Sequence, residues 1–448
     1  MKDLWLGIDC ATQSARGTLI DSSGQIHFRV SEELAPVLRG TDGRLTQDPQ
    51  SWNIAIERSI AASVQFAKKE GFSVAAISIS ATSGTFVITD LQGKPVAPAA
   101  MYNDGRANTP LKRAAAIIKE VGQGEYLFAH TPEFVVSHLC GKNLNEIATD
   151  WSHALKTGVD LQKGDWNGFA REQADKLALS LPKIVAPGTL LGRTMHDDIP
   201  IYAAMTDGCT AQISVGSSAL GSAVTTLGTT MVIKIVSPQE VHGPGFYSHL
   251  LPGNRWLTGG ASNLGGASFG ALTSEITQWD RKAHAHGPAS TVLYPLVGVG
   301  ERFPIANKEM KRISSSAPQG EVDEYRATLE GIAFAERLAY QTLAAAGAPL
   351  TDQLFTVGGG ARSQIWNSIR ATVLNRTISI VKESGSDIGA AMIAYAASQG
   401  GDLAAALDRF NSSTIEQIAP NKDEIAIYEA KYQEFLELVA PMQSQEIR

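Results

Sequence analysis

Only three cysteines occur in 448 residues: Cys10, Cys140 and Cys209. An odd count without metal-ligand spacing argues against a disulfide framework or a thiolate metal site. It suits a reducing compartment. No block of lysine or arginine is present, and 38 basic residues against 45 acidic ones leave a net charge of −7. Nucleic acid is therefore not expected as a partner, because binding to a phosphate backbone needs a positive surface. Long apolar runs are also missing. The most apolar stretch, near 215–236, is interrupted by Gly216, Gly221, Gly228 and Lys234. It suits buried strands and turns, and no membrane partner is expected. The opening Met1-Lys2-Asp3-Leu4 leads into a strand without a signal-peptide pattern, so the cytoplasm is the expected location.

Glycine is abundant, at 42 residues, and the pattern is that of an α/β chain. The length suggests two or three domains. The chain opens with strand, polar turn, strand. Leu4, Leu6 and Ile8 alternate on one face, Asp9 ends the run, Thr12-Gln13-Ser14 form the turn, and Arg16 leaves on the return strand. A carboxylate at a strand end beside a hydroxyl-rich turn suits a site for phosphate oxygens. A second strand end runs into Ala81-Thr82-Ser83-Gly84-Thr85, and a third into Thr206-Asp207-Gly208. Near residue 223 the opening plan recurs, with Gly228-Thr229-Thr230 as its turn. Gly265-Gly266 opens a helix, and a later strand runs into Gly358-Gly359-Gly360-Ala361, with Gln364 just beyond. Two such cycles imply two related domains, 1–219 and 220–448, with a terminal helix near 424–440 able to pack back on the first.

Asp9 with Thr12-Gln13-Ser14, Asp207-Gly208, Gly228-Thr229-Thr230 and Gly358 to Ala361, in that order, resemble the FGGY family of carbohydrate kinases in the actin-like ATPase superfamily. The resemblance covers nearly the whole chain. It implies two actin-like, ribonuclease H-like domains with a catalytic cleft between them. The first domain would bind sugar and supply the catalytic base, and the second would bind ATP. Asp207 is then the base. Asp9, Ser83, Asp104 and Asp207 contact the sugar. Thr12, Gln13, Ser14, Arg16, Gly228, Thr229, Thr230, Gly265, Gly266, Gly359, Gly360, Ala361 and Gln364 hold ATP. Asp9 and Asp207 hold Mg2+ through water. Thr149 to Ala154 and Tyr102 to Arg106 also look like family segments.

Xylulose kinases usually carry Gln-Met-His-Gly where this chain has Ala81-Thr82-Ser83-Gly84-Thr85. That stretch and Gly300-Glu301-Arg302-Phe303-Pro304 look most like the short D-ribulose kinase branch. The resemblance implies phosphorylation of the terminal hydroxyl of a ketopentose, D-ribulose first, with D-xylulose or another pentulose or polyol as the alternative. A non-catalytic actin-like nucleotide switch is the alternative from another class. The partners implied are the small-molecule sugar and ATP, with the protein a monomer or a homodimer. Each site residue also has a plainer role: helix capping for Asp207, turn formation for Asp9, Ser83 and Asp104, and an ion pair for Arg106.

Overall fold

The structure is a computed structural model that describes residues 2–216, 219–410 and 414–443. It divides into two compact units, Met1–Ser217 with Ser384–Asn411, and Ser218–Glu383 with Ser412–Arg448. Among the described residues no helix is long and apolar enough to cross a membrane.

The first unit is built on a six-stranded sheet. Its strands are β1 (Lys2–Cys10), β2 (Ser14–Ile20), β3 (Ile26–Glu33), β4 (Phe72–Ala81), β5 (Leu190–Arg193) and β6 (Pro200–Ala203), in the order β5-β6-β4-β1-β2-β3. β1 and β2 form an antiparallel hairpin, while β4 runs parallel to both β1 and β6. Parallel central strands are buried on both faces and read as apolar runs. β1 follows this rule, with every residue from Leu4 to Cys10 buried.

Helix α1 (Gln50–Lys69) starts at Pro49, buries Trp52, Ile56, Ile60 and Val64 at helical spacing, and packs with Leu4, Leu6 and Ile8. The opposite face of β1 carries Gly7. A Cβ there would overlap the backbone of Asp387 and Ala391, so α6 (Ser386–Ser398) can lie directly on the strand. Trp5 Nε1 donates to Ser398 Oγ at 2.8 Å, and Thr18 Oγ1 donates to Asp387. A second six-stranded sheet in this unit includes Phe86–Thr89 and Tyr126–His130.

The second unit repeats the scheme. Strands β7 (Ala223–Leu227), β8 (Met231–Ser237), β9 (Phe246–Leu251), β10 (Arg255–Ser262), β11 (Leu354–Val357), β12 (Ile378–Val381) and β13 (Thr414–Ile418) are ordered β9-β10-β8-β7-β11-β12-β13. The run β3-β2-β1-β4-β6 in the first unit corresponds to β10-β8-β7-β11-β12 in the second. In both, a hairpin is followed by two further strands parallel to its first strand. This is the two-domain actin-like α/β fold expected from the resemblance. The core of the second unit gathers along α4 (Glu321–Ala345) and includes Trp366 of α5 (Gln364–Leu374).

Two expectations about the division of the chain need correction. The segment Ser384–Asn411, placed in the second domain on sequence order, belongs to the first unit. The terminal helix α7 (Ile425–Gln443), expected on the first domain, is part of the second unit. Its Tyr428, Tyr432, Phe435 and Val439 belong to the core of the second unit.

Candidate active site

Because β1, β4 and β6 are parallel, their carboxyl ends emerge along one edge of the first unit. Cys10 pairs with Ala81, and Ala203 with Ile79. Asp9, Ser83 and Asp207 all sit at or just beyond these ends. Ligand sites of open α/β sheets form outside such ends.

Asp9 is 2% exposed, and its Oδ2 accepts from Arg16 Nη2 at 2.5 Å. Its Oδ1 is buried without a hydrogen-bond partner among the described residues. Burial pushes the Asp9 carboxyl up to about 6. The Arg16 guanidinium opposes this rise, while the Asp207 and Asp387 carboxylates add to it. Three carboxylates are therefore near neighbours, in a chain segment each from the start, middle and end of this unit. Arg16, expected on a phosphate, is instead paired with Asp9 across the hairpin.

The turn between β1 and β2 is tied down by its carbonyls. Leu34 N donates to Gln13 O at 2.9 Å, Gln47 Nε2 to Thr12 O at 3.0 Å, and Ala11 N to Ser14 O at 3.1 Å. Thr12 and Ser14 are half-buried and Gln13 is exposed.

Asp207 is half-buried and opens helix α3 (Asp207–Ile213), with Thr206 in the capping position. Asp207 is thus the first helical residue and not the cap, and the Thr206 side chain makes no capping hydrogen bond. Asp207 Oδ1 accepts from Gly208 N at 2.7 Å, and its carbonyl accepts from Ser386 Oγ at 3.0 Å. The residue before it is anchored from below. Thr206 N donates to Ser152 Oγ at 2.9 Å, and that hydroxyl donates to Asp150 Oδ1 at 2.5 Å. Asp150 caps the short helix α2 (Trp151–Ala154) and also pairs with its His153. Burial alone would raise Asp150, but His153 and the Ser152 hydrogen bonds hold it below the usual carboxylate range.

Ser83 is buried with its Oγ unpartnered. Its carbonyl accepts from Lys156 Nζ at 3.1 Å. Burial lowers the Lys156 pKa, and Asp207 acts against that shift. Asp104 departs from expectation. Its side chain has 0% exposure. Its oxygens take the Arg106 guanidinium at 2.8–3.2 Å, Arg106 N at 3.0 Å and Leu45 N at 3.1 Å. It is an internal brace for Arg106, and the ion-pair role of Arg106 is the one observed.

In the second unit, the turn Gly228-Thr229-Thr230 lies against the Gly265-Gly266 loop. Gly266 N donates to Gly228 O at 2.8 Å, and Ala267 N to Thr229 O at 3.1 Å. The glycine run follows β11, whose Val357 pairs with Thr226 of β7. A Cβ on Gly358 would stand 2.5 Å from Leu227 O, and one on Gly360 2.5 Å from the Trp366 ring. Those two glycines are required by the protein's own packing. Gly359 differs, since a Cβ there meets nothing within 4 Å. Of the run, it is the residue with open space beside its backbone. Ala361 is buried, and its carbonyl accepts from Asn367. Gln364 is exposed and donates to Glu416 of β13 at 3.2 Å.

Among the described residues no group of three or more His, Cys, Asp or Glu side chains is arranged to hold a metal. What the first unit offers a divalent cation is Asp9, with an unpartnered buried oxygen and two more carboxylates nearby. That donor set fits an ion bound mainly through water and ligand phosphates, as magnesium is.

Lys156 and Asp387 escaped sequence reasoning. Lys156 lies just after the Thr149 to Ala154 segment, so the signal was adjacent. Asp387 lies in a small-residue helix with nothing local to tie it to Asp9.

Comparison with known proteins matches residues 4–135 to the FGGY family of carbohydrate kinases, N-terminal domain, and residues 223–398 to its C-terminal domain. The xylulose kinase of Lactococcus lactis is 25% identical, over 96% of this chain and 95% of that one. Among solved structures, a ligand-bound xylulose kinase from Lactobacillus acidophilus superposes with a TM-score of 0.84 at 20% identity, covering 99% of both chains. Plasmodium falciparum glycerol kinase with ADP gives 0.82 at 17% identity, covering 97% of this chain and 98% of that one. At these identities the structural likeness establishes the fold.

Proposed function

The chain belongs to the FGGY family of carbohydrate kinases, and on that premise we propose that it transfers the γ-phosphoryl group of ATP to the terminal hydroxyl of a ketopentose. The observation that carries this reading is Asp207, a carboxylate at the mouth of a strand end, half-buried and held by an anchored backbone. Asp207 accepts the hydroxyl proton and directs the sugar oxygen at phosphorus. Phosphoryl transfer of this kind passes through a loose transition state, so positioning and charge stabilisation matter more than basicity. Thr12, Gln13 and Ser14 in the first unit, and Gly228, Thr229 and Thr230 in the second, supply N–H and hydroxyl donors to phosphate oxygens. Gly265, Gly266, Gly359, Gly360, Ala361 and Gln364 form the adenosine side, with the base or ribose lying over Gly359. Asp9 and Asp207 would hold Mg2+ through water, and the ion would supply positive charge to offset that of the ATP phosphates.

D-ribulose is the first-choice substrate, because Ala81 to Thr85 stands where xylulose kinases usually carry Gln-Met-His-Gly. D-xylulose is the second reading, favoured by the relatives, which are named for it. The test is a coupled ATP-consumption assay across D-ribulose, D-xylulose and the pentitols, beside calorimetric ATP binding. Turnover of a ketopentose supports the proposal, and the ratio of kcat/KM values decides between the two sugars. ATP binding with no phosphorylation of any pentulose or pentitol refutes it and leaves the nucleotide switch.

A further inference from the structure

Lys156 behaves unlike an ordinary exposed lysine. Such side chains carry the ammonium outward into water along a flexible stem. Lys156 is exposed as a residue, yet its ammonium turns inward and donates to the Ser83 carbonyl at 3.1 Å. The surroundings do not reward this on their own. Burial lowers its pKa, the Arg113 guanidinium lowers it further, and the carboxylate facing it is Asp207. Asp104, whose charge reaches Arg113, is already matched by Arg106. An ammonium has three donors, and among the described residues that of Lys156 meets the Ser83 carbonyl. Beside it the Ser83 hydroxyl is buried with no partner among the described residues. A buried hydroxyl without a partner among the described residues and an ammonium with donors to spare thus lie together just beyond one strand end.

The chain around them is built to keep that geometry. Lys156 follows α2, whose Ser152 holds Thr206 N, and its stem passes close to Gly84, where an added Cβ would be 3.2 Å from Lys156 Cδ. The same short segment therefore touches both the Ser83 loop and the backbone that carries Asp207.

We propose that Lys156 is a sugar-binding residue, and that its ammonium and the Ser83 hydroxyl together hold oxygen atoms of the open-chain sugar next to the one that reacts at Asp207. The ligand class is a neutral polyhydroxylated chain with hydroxyl or carbonyl lone pairs. The inference rests on the kinase reading above and adds a residue to it. Because Lys156 acts on the bound sugar, its removal weakens ground-state binding more than the chemical step.

The test compares the parent with Lys156→Met and Lys156→Arg. Steady-state assays use the best ketopentose, calorimetry measures sugar and ATP binding, and melting curves report folding. Lys156→Met is expected to raise the sugar KM and Kd by tenfold or more, with ATP affinity within twofold and melting unchanged. Lys156→Arg, which keeps the charge, recovers part of the loss. A Lys156→Met protein with the parent's sugar KM and Kd overturns the proposal. So does one that loses kcat alone, which would mean the lysine acts only on the charge of Asp207. A parent that binds no sugar overturns the kinase reading with it, whereas a parent that phosphorylates a ketopentose isolates the failure to Lys156.

Discussion

Asp207→Asn separates a catalytic carboxylate from a structural one, and the structure sets both magnitudes. Asparagine keeps an Oδ1 that can accept from Gly208 N, the bond now 2.7 Å long. It loses one negative charge at the start of α3, where charge–dipole attraction is worth about 0.3–1 kcal/mol. Against that loss, the repulsion that Asp207 exerts on Asp9 is relieved. Stability should therefore change by no more than about 1 kcal/mol. Catalysis should fall far more. Loss of a positioned general base costs about a hundredfold or more in rate, which is about 2.7 kcal/mol of barrier.

The same substitution has electrostatic echoes that follow from the lost charge itself. Asp207 now helps to raise Asp9 and supports the charged form of Lys156. In Asp207→Asn the Asp9 carboxyl titrates at lower pH than in the parent, and so does Lys156. The assay is ketopentose turnover beside calorimetric ATP binding and thermal melting. The expected outcome is lost turnover, ATP affinity within a few-fold and nearly unchanged melting. Turnover near the parent rate refutes Asp207 as base. A collapse in melting temperature that accounts for the lost activity refutes the argument that the residue is structurally replaceable.

Two further outcomes follow from the same geometry. The folded Asp9 carboxyl titrates near 6 against an ordinary 3.8, so its folded pKa lies above its unfolded one. The stability it lends is complete below pH 3.8 and lost as pH rises through about 6, a change of about 3 kcal/mol. Asp9→Asn should stabilise the ligand-free protein at pH 7 by up to that amount while lowering turnover, and urea unfolding at pH 4 and pH 7 checks the sign. Gly7→Ala should destabilise the first unit by about 3 kcal/mol or more, because the new Cβ meets the backbone of Asp387 and Ala391 and not a side chain that can turn aside. A variant with an unchanged urea midpoint would contradict the packing of α6 on β1.

What could be read in the chain beforehand was mostly local. The β1–β2 and β7–β8 hairpins announce themselves by alternation and a polar or glycine turn, and the carboxylates at strand ends by their position after an apolar run. Asp104 was misjudged because a turn aspartate looks open in sequence, whereas here it folds inward onto Arg106, two residues away. Lys156 bonds a residue 73 positions earlier and Asp387 one 369 positions earlier, and no periodicity records such a partner. The same limit hid the return of Ser384–Asn411 to the first unit. Gly7 and Gly389 are both glycines against backbone, of Asp387 and of Thr210. A glycine in a strand or helix signals close approach, without naming what approaches. In α7 the spacing of Tyr428, Tyr432, Phe435 and Val439 signals a buried stripe but is silent on which core receives it.

Asp9 and Ser83, two of the residues with a buried unpartnered polar atom among the described residues, are residues the proposed chemistry uses. A buried carboxylate with one unpartnered oxygen, a buried hydroxyl with none, and a lysine turned inward are each unfavourable in the ligand-free fold. Such conflicts persist where surrounding structure holds them and a ligand resolves them. Here the surroundings are identifiable. Asp9 is fixed by β1 between β2 and β4, Ser83 by the end of β4, and Lys156 by the segment that Ser152 and Asp150 anchor. The unmet needs are also complementary in kind. Asp9 seeks positive charge, while Ser83 and Lys156 seek neutral oxygen. On the proposed function, a divalent cation with phosphate would answer the first and a sugar the second, so that substrate and counterion together would partner these groups of the first unit.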